Sequence, residues 1–238
     1  GAAMMNFINQ FLFGFYPYLC MVVYFLGSWP RFDRSQYTWR SQSSQFLRRR
    51  QLYWGSVLFH VGILLLFFGH FLGLLTPPEV YQALGLTVKG KQLLAVVAGG
   101  IFAFICFVGM TLLLHRRLFD VRIRRTSKKT DIFILLFLYV QLIIGMAGIP
   151  YSVADPSGGH MLVMAEWSRN ILLFQPGAAH LLDHVPWIYK IHIVFGMTLF
   201  LLTAFTRLVH IFSAPIWYLG RPGYQIVRRN RNLGRGAV

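Results

Sequence analysis

The chain has 238 residues, of which 56% are hydrophobic and only 13% are charged. A soluble domain usually carries about twice that charged fraction. The formal net charge is +16, which leaves two classes of protein: a membrane protein with basic loops, or a nucleic-acid binder. Cys20 and Cys106 are the only cysteines, and two thiols exclude an ordinary four-thiolate iron–sulfur cluster and a disulfide scaffold.

Five apolar runs are long enough to cross a bilayer, which takes about 20 helical residues. The first run lacks a basic leading segment and a small-residue cleavage site, so we interpret it as a retained helix. Pro17 is expected to bend it. The predicted fold is all-α, a single integral membrane domain over residues 1–238 with five transmembrane helices at about Phe7–Trp29, Leu52–Leu75, Leu93–Leu114, Ile132–Pro150 and Trp187–Ser213.

The basic residues are distributed very unevenly between the segments outside these runs. Most of the 23 lie after the first, third and fifth runs, for example Arg48–Arg50, Arg122–Arg125 and Arg228–Arg231. Basic loops stay cytoplasmic, so we predict a periplasmic N-terminus, a cytoplasmic C-terminus and a basic cytoplasmic tail over residues 214–238. This arrangement explains the net charge without a nucleic-acid partner.

Two segments are predicted on the outer side. Residues 76–92 form a short connection, whereas residues 151–186 form a long one that contains the apolar stretch Met161–Phe174. A structureless loop of that length is uncommon. The stretch therefore predicts an interfacial or re-entrant helix.

Four histidines lie inside two of the apolar runs: His60 and His70 in the second, His192 and His210 in the fifth. An imidazole in lipid is rare and needs a partner or a ligand. The two helices run antiparallel, so His60 and His210 share the cytoplasmic level, while His70 and His192 share the outer level. Two cross-helix pairs at two depths favour two b-type haems, with these four histidines as axial ligands of the irons.

Less specific features accompany the histidines. Hydrogen bonds to neighbouring helices are the alternative role for each imidazole. Gly55, Gly62 and Gly69 share one helix face, which suits either a macrocycle or ordinary helix packing. Arg207, one turn before His210, could pair with a haem propionate or extend to the membrane surface. On ideal helices the two histidines of the second run are about 15 Å apart and those of the fifth about 27 Å, so the pairing requires tilted helices.

Several stretches resemble the gamma subunit of respiratory nitrate reductase. The similarity covers nearly the whole chain, from about Asn6 to Val227. It is carried by Tyr37–Gln45 (YTWRSQSSQ), by the two histidines with nine residues between them, and by Gly196–Leu202 (GMTLFLL) followed by Arg207–His210 (RLVH).

This resemblance implies a dihaem cytochrome b that oxidises quinol near the outer haem. Electrons would pass to the inner haem, then to a cytoplasmic iron–sulfur beta subunit and a molybdenum alpha subunit that reduces nitrate. The chain itself would hold two haem b groups and neither an iron–sulfur cluster nor molybdenum. His60 and His210 would bind the proximal haem, and His70 and His192 the distal one.

The resemblance also implies a quinol site beside the distal haem. Lys89 matches the family's lysine in that site, with Lys91 as its rival because the preceding loop differs in length. Lys89 and His70 are therefore the candidate quinol-site residues. The expected location is the cytoplasmic (inner) membrane of a bacterium or archaeon, with the quinol pool and anionic lipids as further partners.

Two other functions remain open at this point. The chain could be the dihaem module of a related redox complex, such as a nitrite oxidoreductase or a sulfite- or disulfide-reducing enzyme. It could also be a haem-free anchor or transporter, although transporters often show internal repeats and broken helices, and we find no such pattern.

Overall fold

A computed structural model describes residues 2–35, 49–206, 208 and 211. Within these ranges the chain is helical and no residue lies in a β-strand, as the all-α prediction expects. The elements in chain order are α1 (Ala2–Gln10), a π-helical segment (Phe11–Phe15), α2 (Tyr16–Ser35), α3 (Arg49–Leu75), α4 (Pro78–Ala83), α5 (Val88–Phe119), α6 (Val121–Thr126), α7 (Lys129–Val153), α8 (Gly159–Leu172), a 3-10 helix (Ala178–Leu182) and α9 (Trp187–Thr203).

Four helical stretches are long and apolar enough to cross a membrane: Ala3–Pro30, Arg50–Leu75, Val88–Phe119 and Lys129–Val153. They coincide with the first four predicted spans but extend beyond them. Hydropathy marks only the apolar part of a helix, whereas caps set its ends. At the start of α5, for example, the Thr87 hydroxyl accepts a hydrogen bond from the backbone N–H of Gly90 at 3.0 Å.

The fifth apolar run forms a shorter helix than the sequence predicts. Helix α9 ends at Thr203 rather than near Ser213, and residues 204–206 turn. The hydroxyls of Thr203 and Thr206 each donate to the carbonyl four residues earlier, at 2.8 Å, and such bonds compete with the helical ladder. The predicted tail over residues 214–238 lies outside the described residues.

The N-terminal helix is irregular where Pro17 was expected to bend it. A π-helical segment over Phe11–Phe15 ends two residues before this proline. Because proline has no N–H, it cannot bond the carbonyl of Phe13. The indole Nε1 of Trp167 donates to that carbonyl instead, at 3.0 Å, which ties the first span to α8.

The long helices pack side by side in the order α3, α5, α7, α9 and α2, and α8 contacts both α3 and the 3-10 helix. Helices α3 and α5 come closest at two glycines. A Cβ at Gly62 would lie 2.6 Å from the backbone nitrogen of Cys106, and a Cβ at Gly109 would overlap the backbone of Phe59. Gly55 also faces α5, whereas a Cβ at Gly69 would meet nothing within 4 Å. Two of the three glycines in the predicted stripe therefore serve helix packing.

Large apolar side chains cover the outside of these helices. Leu64, Phe68, Leu93 and Phe104 are each about 60% exposed. Such a surface would be unfavourable in water and is typical of contact with lipid. Together with the four long apolar helices, it indicates a multi-pass membrane protein.

The connections between the spans contain additional helices. The long outer segment contains α8 at nearly the predicted position, which confirms a helix there. Helix α4 lies within the short connection predicted over residues 76–92. It begins with Pro78 in its first turn, a position that proline favours because no N–H is needed there.

Several of the basic side chains lie together at one end of the bundle. Gln51 of α3 donates to the carbonyl of Leu112 in α5 at 3.0 Å, so Arg50 and the Arg116–Arg117 pair share one end. Residues 88–91 and α8 lie at the opposite end, which we call the outer end.

Candidate functional site

His70 of α3 and His192 of α9 face each other. Their ring centroids are 6.1 Å apart and the ring planes are inclined by 40°. The rings of Phe67 and Phe200 also contact each other, with centroids 6.4 Å apart. Phe67 lies one turn before His70 in α3, whereas Phe200 lies about two turns after His192 in α9. The two helices are therefore antiparallel at this level, and the pair expected for the outer haem is brought together.

His60 and His70 make the same contact with the backbone. Nδ1 of each ring lies 2.7 Å from the carbonyl oxygen four residues earlier, that of Ser56 or of Leu66. A carbonyl only accepts, so Nδ1 carries the proton and donates it. Nε2 then holds the lone pair that a metal requires, on a ring whose orientation is set by its other nitrogen.

Helix α7 shapes the environment of His192. A Cβ at Gly145 would lie 2.7 Å from Cε1 of the His192 ring, so the absent side chain makes room for the imidazole. The amide of Gln141 donates to the backbone carbonyl of His192 at 3.0 Å. Nδ1 of His192 is buried and has no hydrogen-bond partner among the described residues. A buried polar atom in that state is destabilising unless something binds it.

The predicted inner pair is only half described. The ring of His60 is exposed and lies edge-on against Phe59, with centroids 5.0 Å apart. Its expected partner His210 and the propionate candidate Arg207 lie outside the described residues. The 27 Å estimate for the histidines of the fifth run assumed one continuous helix, whereas α9 ends at Thr203.

Other types of metal site find little support in this part of the chain. Among the described residues, no group of three or more His, Cys, Asp or Glu side chains could hold a metal ion. Haem needs only two protein ligands on opposite sides of its iron, because the porphyrin supplies the other four. A facing histidine pair is therefore sufficient.

The two candidate quinol-site lysines lie in different surroundings. Lys89 is exposed in the first turn of α5. Lys91 is partly buried: its Nζ donates to the carbonyl of Gly73 at 2.8 Å and lies 4.3 Å from the ring centroid of Tyr81. Gly73 is three residues after His70 on α3, so the ammonium of Lys91 lies about one turn from the outer histidine pair.

Arg169 of α8 reaches the same end of α3, where its Nη1 lies 3.4 Å from the carbonyl of Leu74. Cations are favoured at the C-terminus of a helix by its dipole. In the described part of the chain, no acidic side chain pairs with Arg169 or Lys91. Sequence reasoning missed Arg169, although an arginine beside the apolar stretch of the outer segment was a usable signal.

A polar layer lies one turn before His192, at the outer end of α7. The hydroxyl of Tyr189 lies 2.7 Å from Oγ of Ser152 and donates to the carbonyl of Gly148 at 3.2 Å. The imidazole of His160 lies beside the Tyr189 ring, with centroids 6.2 Å apart. None of these contacts was anticipated from the sequence.

Asp155 fixes the turn that leads into α8. One carboxylate oxygen accepts from the Ser157 hydroxyl at 2.6 Å, and the other accepts from the backbone N–H of His160 at 3.0 Å. These two hydrogen bonds lower the pKa of the Asp155 carboxyl, because they favour its charged form. Nδ1 of His160 lies 3.2 Å from the same carboxylate, which forms a carboxylate–imidazole pair.

A family model described as "Nitrate reductase gamma subunit" matches residues 9–230. The chain is a nitrate reductase gamma subunit by family. It is 46% identical to the respiratory nitrate reductase 2 gamma chain of Escherichia coli (strain K12), over 96% of this chain and 100% of that protein.

Two further relatives support the assignment. The respiratory nitrate reductase 1 gamma chain of the same organism is 46% identical over 94% of this chain and 99% of its own length. The nitrate reductase gamma chain of Bacillus subtilis (strain 168) is 37% identical over 93% of this chain and 98% of its own length. The resemblance inferred from the residues is thus confirmed. As a gamma subunit, the protein is part of an oxidoreductase complex with further chains.

Proposed function

We propose that this gamma subunit is the dihaem cytochrome b of a respiratory nitrate reductase. It oxidises quinol near the periplasmic face and delivers the electrons to an iron–sulfur beta subunit, from which they reach a molybdenum alpha subunit that reduces nitrate. The facing pair of His70 and His192 is the observation that carries the proposal. The names of the relatives support the nitrate-reducing complex.

The geometry of this pair fits an iron between the rings. A metal-bound imidazole nitrogen lies about 2 Å from its ion and roughly 1 Å from its own ring centroid, so two rings across one ion have centroids about 6 Å apart. The observed distance is 6.1 Å. The lone pair on Nε2 of His70, left free because Nδ1 donates to the Leu66 carbonyl, further supports ligation.

The second proposed haem lies at the inner level, between His60 and His210. The free Nε2 of His60 supports this assignment, and Arg207 is the proposed propionate contact. Once bound at the two pairs, the haems would supply one-electron transfer across the membrane. The apolar helices around the pairs exclude water and hold the imidazoles at their two depths.

The geometry favours Lys91 over Lys89 as the quinol-site lysine. The ammonium of Lys91 uses one N–H on the Gly73 carbonyl, which leaves two donors for a quinol oxygen. That carbonyl is one turn from His70, whereas Lys89 is exposed. Quinol bound there would lie close to the distal pair, as electron transfer requires.

The proposed orientation follows from the basic segments. The end of the bundle that contains Arg50 and the Arg116–Arg117 pair would face the cytoplasm. There the basic surface would bind the beta subunit and also attract anionic lipids. The location proposed is the cytoplasmic membrane of a bacterium or archaeon.

A haem count tests the proposal directly. In the purified intact complex, a dithionite-reduced minus oxidised spectrum and a pyridine haemochrome assay are expected to give two b-type haems per gamma subunit. One haem would contradict one of the two histidine pairs. No haem in a folded preparation would contradict the proposal itself.

Substitution of the lysines tests the quinol site. Lys91→Ala is expected to lower quinol oxidation on the order of 10- to 100-fold, mainly through a higher KM, because a hydrogen bond from a charged group contributes about 1.5–3 kcal/mol. Lys89→Ala is the matched substitution two residues away and is expected to change KM less than about twofold. Steady-state kinetics of the intact complex measure both. A large effect of Lys89→Ala alone would return the assignment to Lys89.

A further inference from the structure

We propose that His160, paired with Asp155, accepts protons from the quinol and passes them to water at the outer face. This inference rests on the proposed quinol oxidation, which supplies the protons. Oxidation of a quinol to a quinone releases two electrons and two protons. A haem held by His70 and His192 would accept the electrons. Each proton leaves a quinol hydroxyl oxygen for an imidazole nitrogen of His160 and then moves to water.

A line of rings connects the distal pair to His160. Two side chains of α9, one turn apart, each pack against a glycine of α7. Gly145 lies against the ring of His192. Gly148 lies against the ring of Tyr189, and a Cβ at Gly148 would be 3.3 Å from a carbon of that ring. The two α9 rings therefore follow one another along α7. The imidazole of His160 comes next, 6.2 Å from Tyr189, on the outer side of the pair.

The exposure of this carboxylate–imidazole pair suits a proton exit. The side chain of His160 is 38% exposed, whereas that of Asp155 is 11% exposed. Nδ1 of His160 is buried against the carboxylate without a hydrogen bond from any described residue, while the rest of the ring reaches solvent. A proton taken up inside can therefore leave at the surface.

The chemistry of the pair also suits proton transfer. A neutral imidazole can accept a proton on one nitrogen, and the Asp155 carboxylate lies 3.2 Å from Nδ1 of His160, where its negative charge stabilises the protonated ring. Among the described residues, the titratable groups in contact with His160 are Asp155 and Tyr189, and Tyr151 of α7 lies beside Tyr189. Helix α5 reaches this turn with Val88 and Gln92, neither of which titrates.

Lys91 cannot accept the quinol proton while its charged ammonium group is hydrogen-bonded to the quinol oxygen. Its Nζ donates to the Gly73 carbonyl and lies over the Tyr81 ring, contacts that suit an ammonium. An ammonium has no lone pair. Lys91 therefore orients the quinol oxygen, and a separate base must remove the proton.

The test uses His160→Ala in the intact nitrate reductase complex, with quinol-dependent nitrate reduction followed from about pH 5.5 to 9. Loss of a positioned base is expected to lower the turnover at least about 100-fold at pH 7. Added imidazole should restore much of that loss. The pH dependence of the rate is expected to change in the variant, because without the imidazole the quinol proton must leave directly to water or hydroxide. Asp155→Asn should give a smaller loss, because the amide oxygen can still cap α8.

His184→Ala is the matched control, since His184 is an exposed histidine of the same outer segment and should leave the rate and its pH profile unchanged. A wild-type rate and profile in His160→Ala would overturn the inference. A slow variant that imidazole does not rescue, with an unshifted profile, would assign His160 a structural role and overturn it as well. A wild-type complex that lacks haem or does not oxidise quinol would instead contradict the proposed function.

Discussion

Replacement of His70 or His192 with alanine is expected to remove one b-type haem from the complex and to abolish quinol oxidation. The two imidazoles face each other at the distance of a pair of axial ligands, so loss of either one leaves the iron with a single protein ligand. The pyridine haemochrome count should fall from two to one, and quinol-dependent nitrate reduction should fall at least about 100-fold, since electron entry is blocked.

The inner pair provides the complementary experiment. His60→Ala or His210→Ala is expected to remove the other haem and to block transfer to the partner subunits. His184→Ala should retain both haems and serves as the histidine control. Retention of two haems in all four ligand variants would contradict the ligand assignment.

The second large effect is expected at Gly109, where α3 and α5 come closest. The Cβ of alanine would overlap the backbone of Phe59, and backbone cannot move aside by a rotamer change. Overpacking of this kind costs about 1–3 kcal/mol. Gly109→Ala is therefore expected to lower the thermal unfolding temperature of the detergent-solubilised complex and the yield of folded gamma subunit.

Gly99→Ala is the matched control on the same helix, because a Cβ there would meet nothing within 4 Å. It should be neutral or slightly stabilising, since alanine favours a helix over glycine by about 0.5–1 kcal/mol. Equal thermal unfolding temperatures for the two variants would show that the close contact at Gly109 does not limit stability.

The sequence alone predicted most of the membrane architecture. Four long apolar helices lie where the hydropathic runs place them, because a lipid-spanning helix must be apolar over its whole crossing length. The end of helix α9 inside the fifth apolar run could not be predicted from hydropathy. Helix α9 stops at Thr203 within a run that is still apolar, and hydropathy carries no information about local hydroxyl–backbone hydrogen bonds.

The order of the histidines along the chain was also enough to pair His70 with His192. Antiparallel helices bring the later histidine of one next to the earlier histidine of the other. The sequence could not show that α3 and α9 approach each other at the required distance, or that α7 provides Gly145 beside the His192 ring. Those facts depend on how the helices pack.

The choice of the quinol-site lysine also depended on the tertiary structure. Lys89 and Lys91 are two positions apart, so their side chains point about 200° apart around α5, and family likeness with an uncertain loop length cannot choose between them. Packing against the end of α3 and Tyr81 distinguishes Lys91.

The pairing of Asp155 with His160 beside Tyr189 likewise joins different elements of the chain. Hydropathy and spacing determined the spans and the candidate ligands, whereas contacts between distant segments arise only on folding and were decided by the tertiary structure.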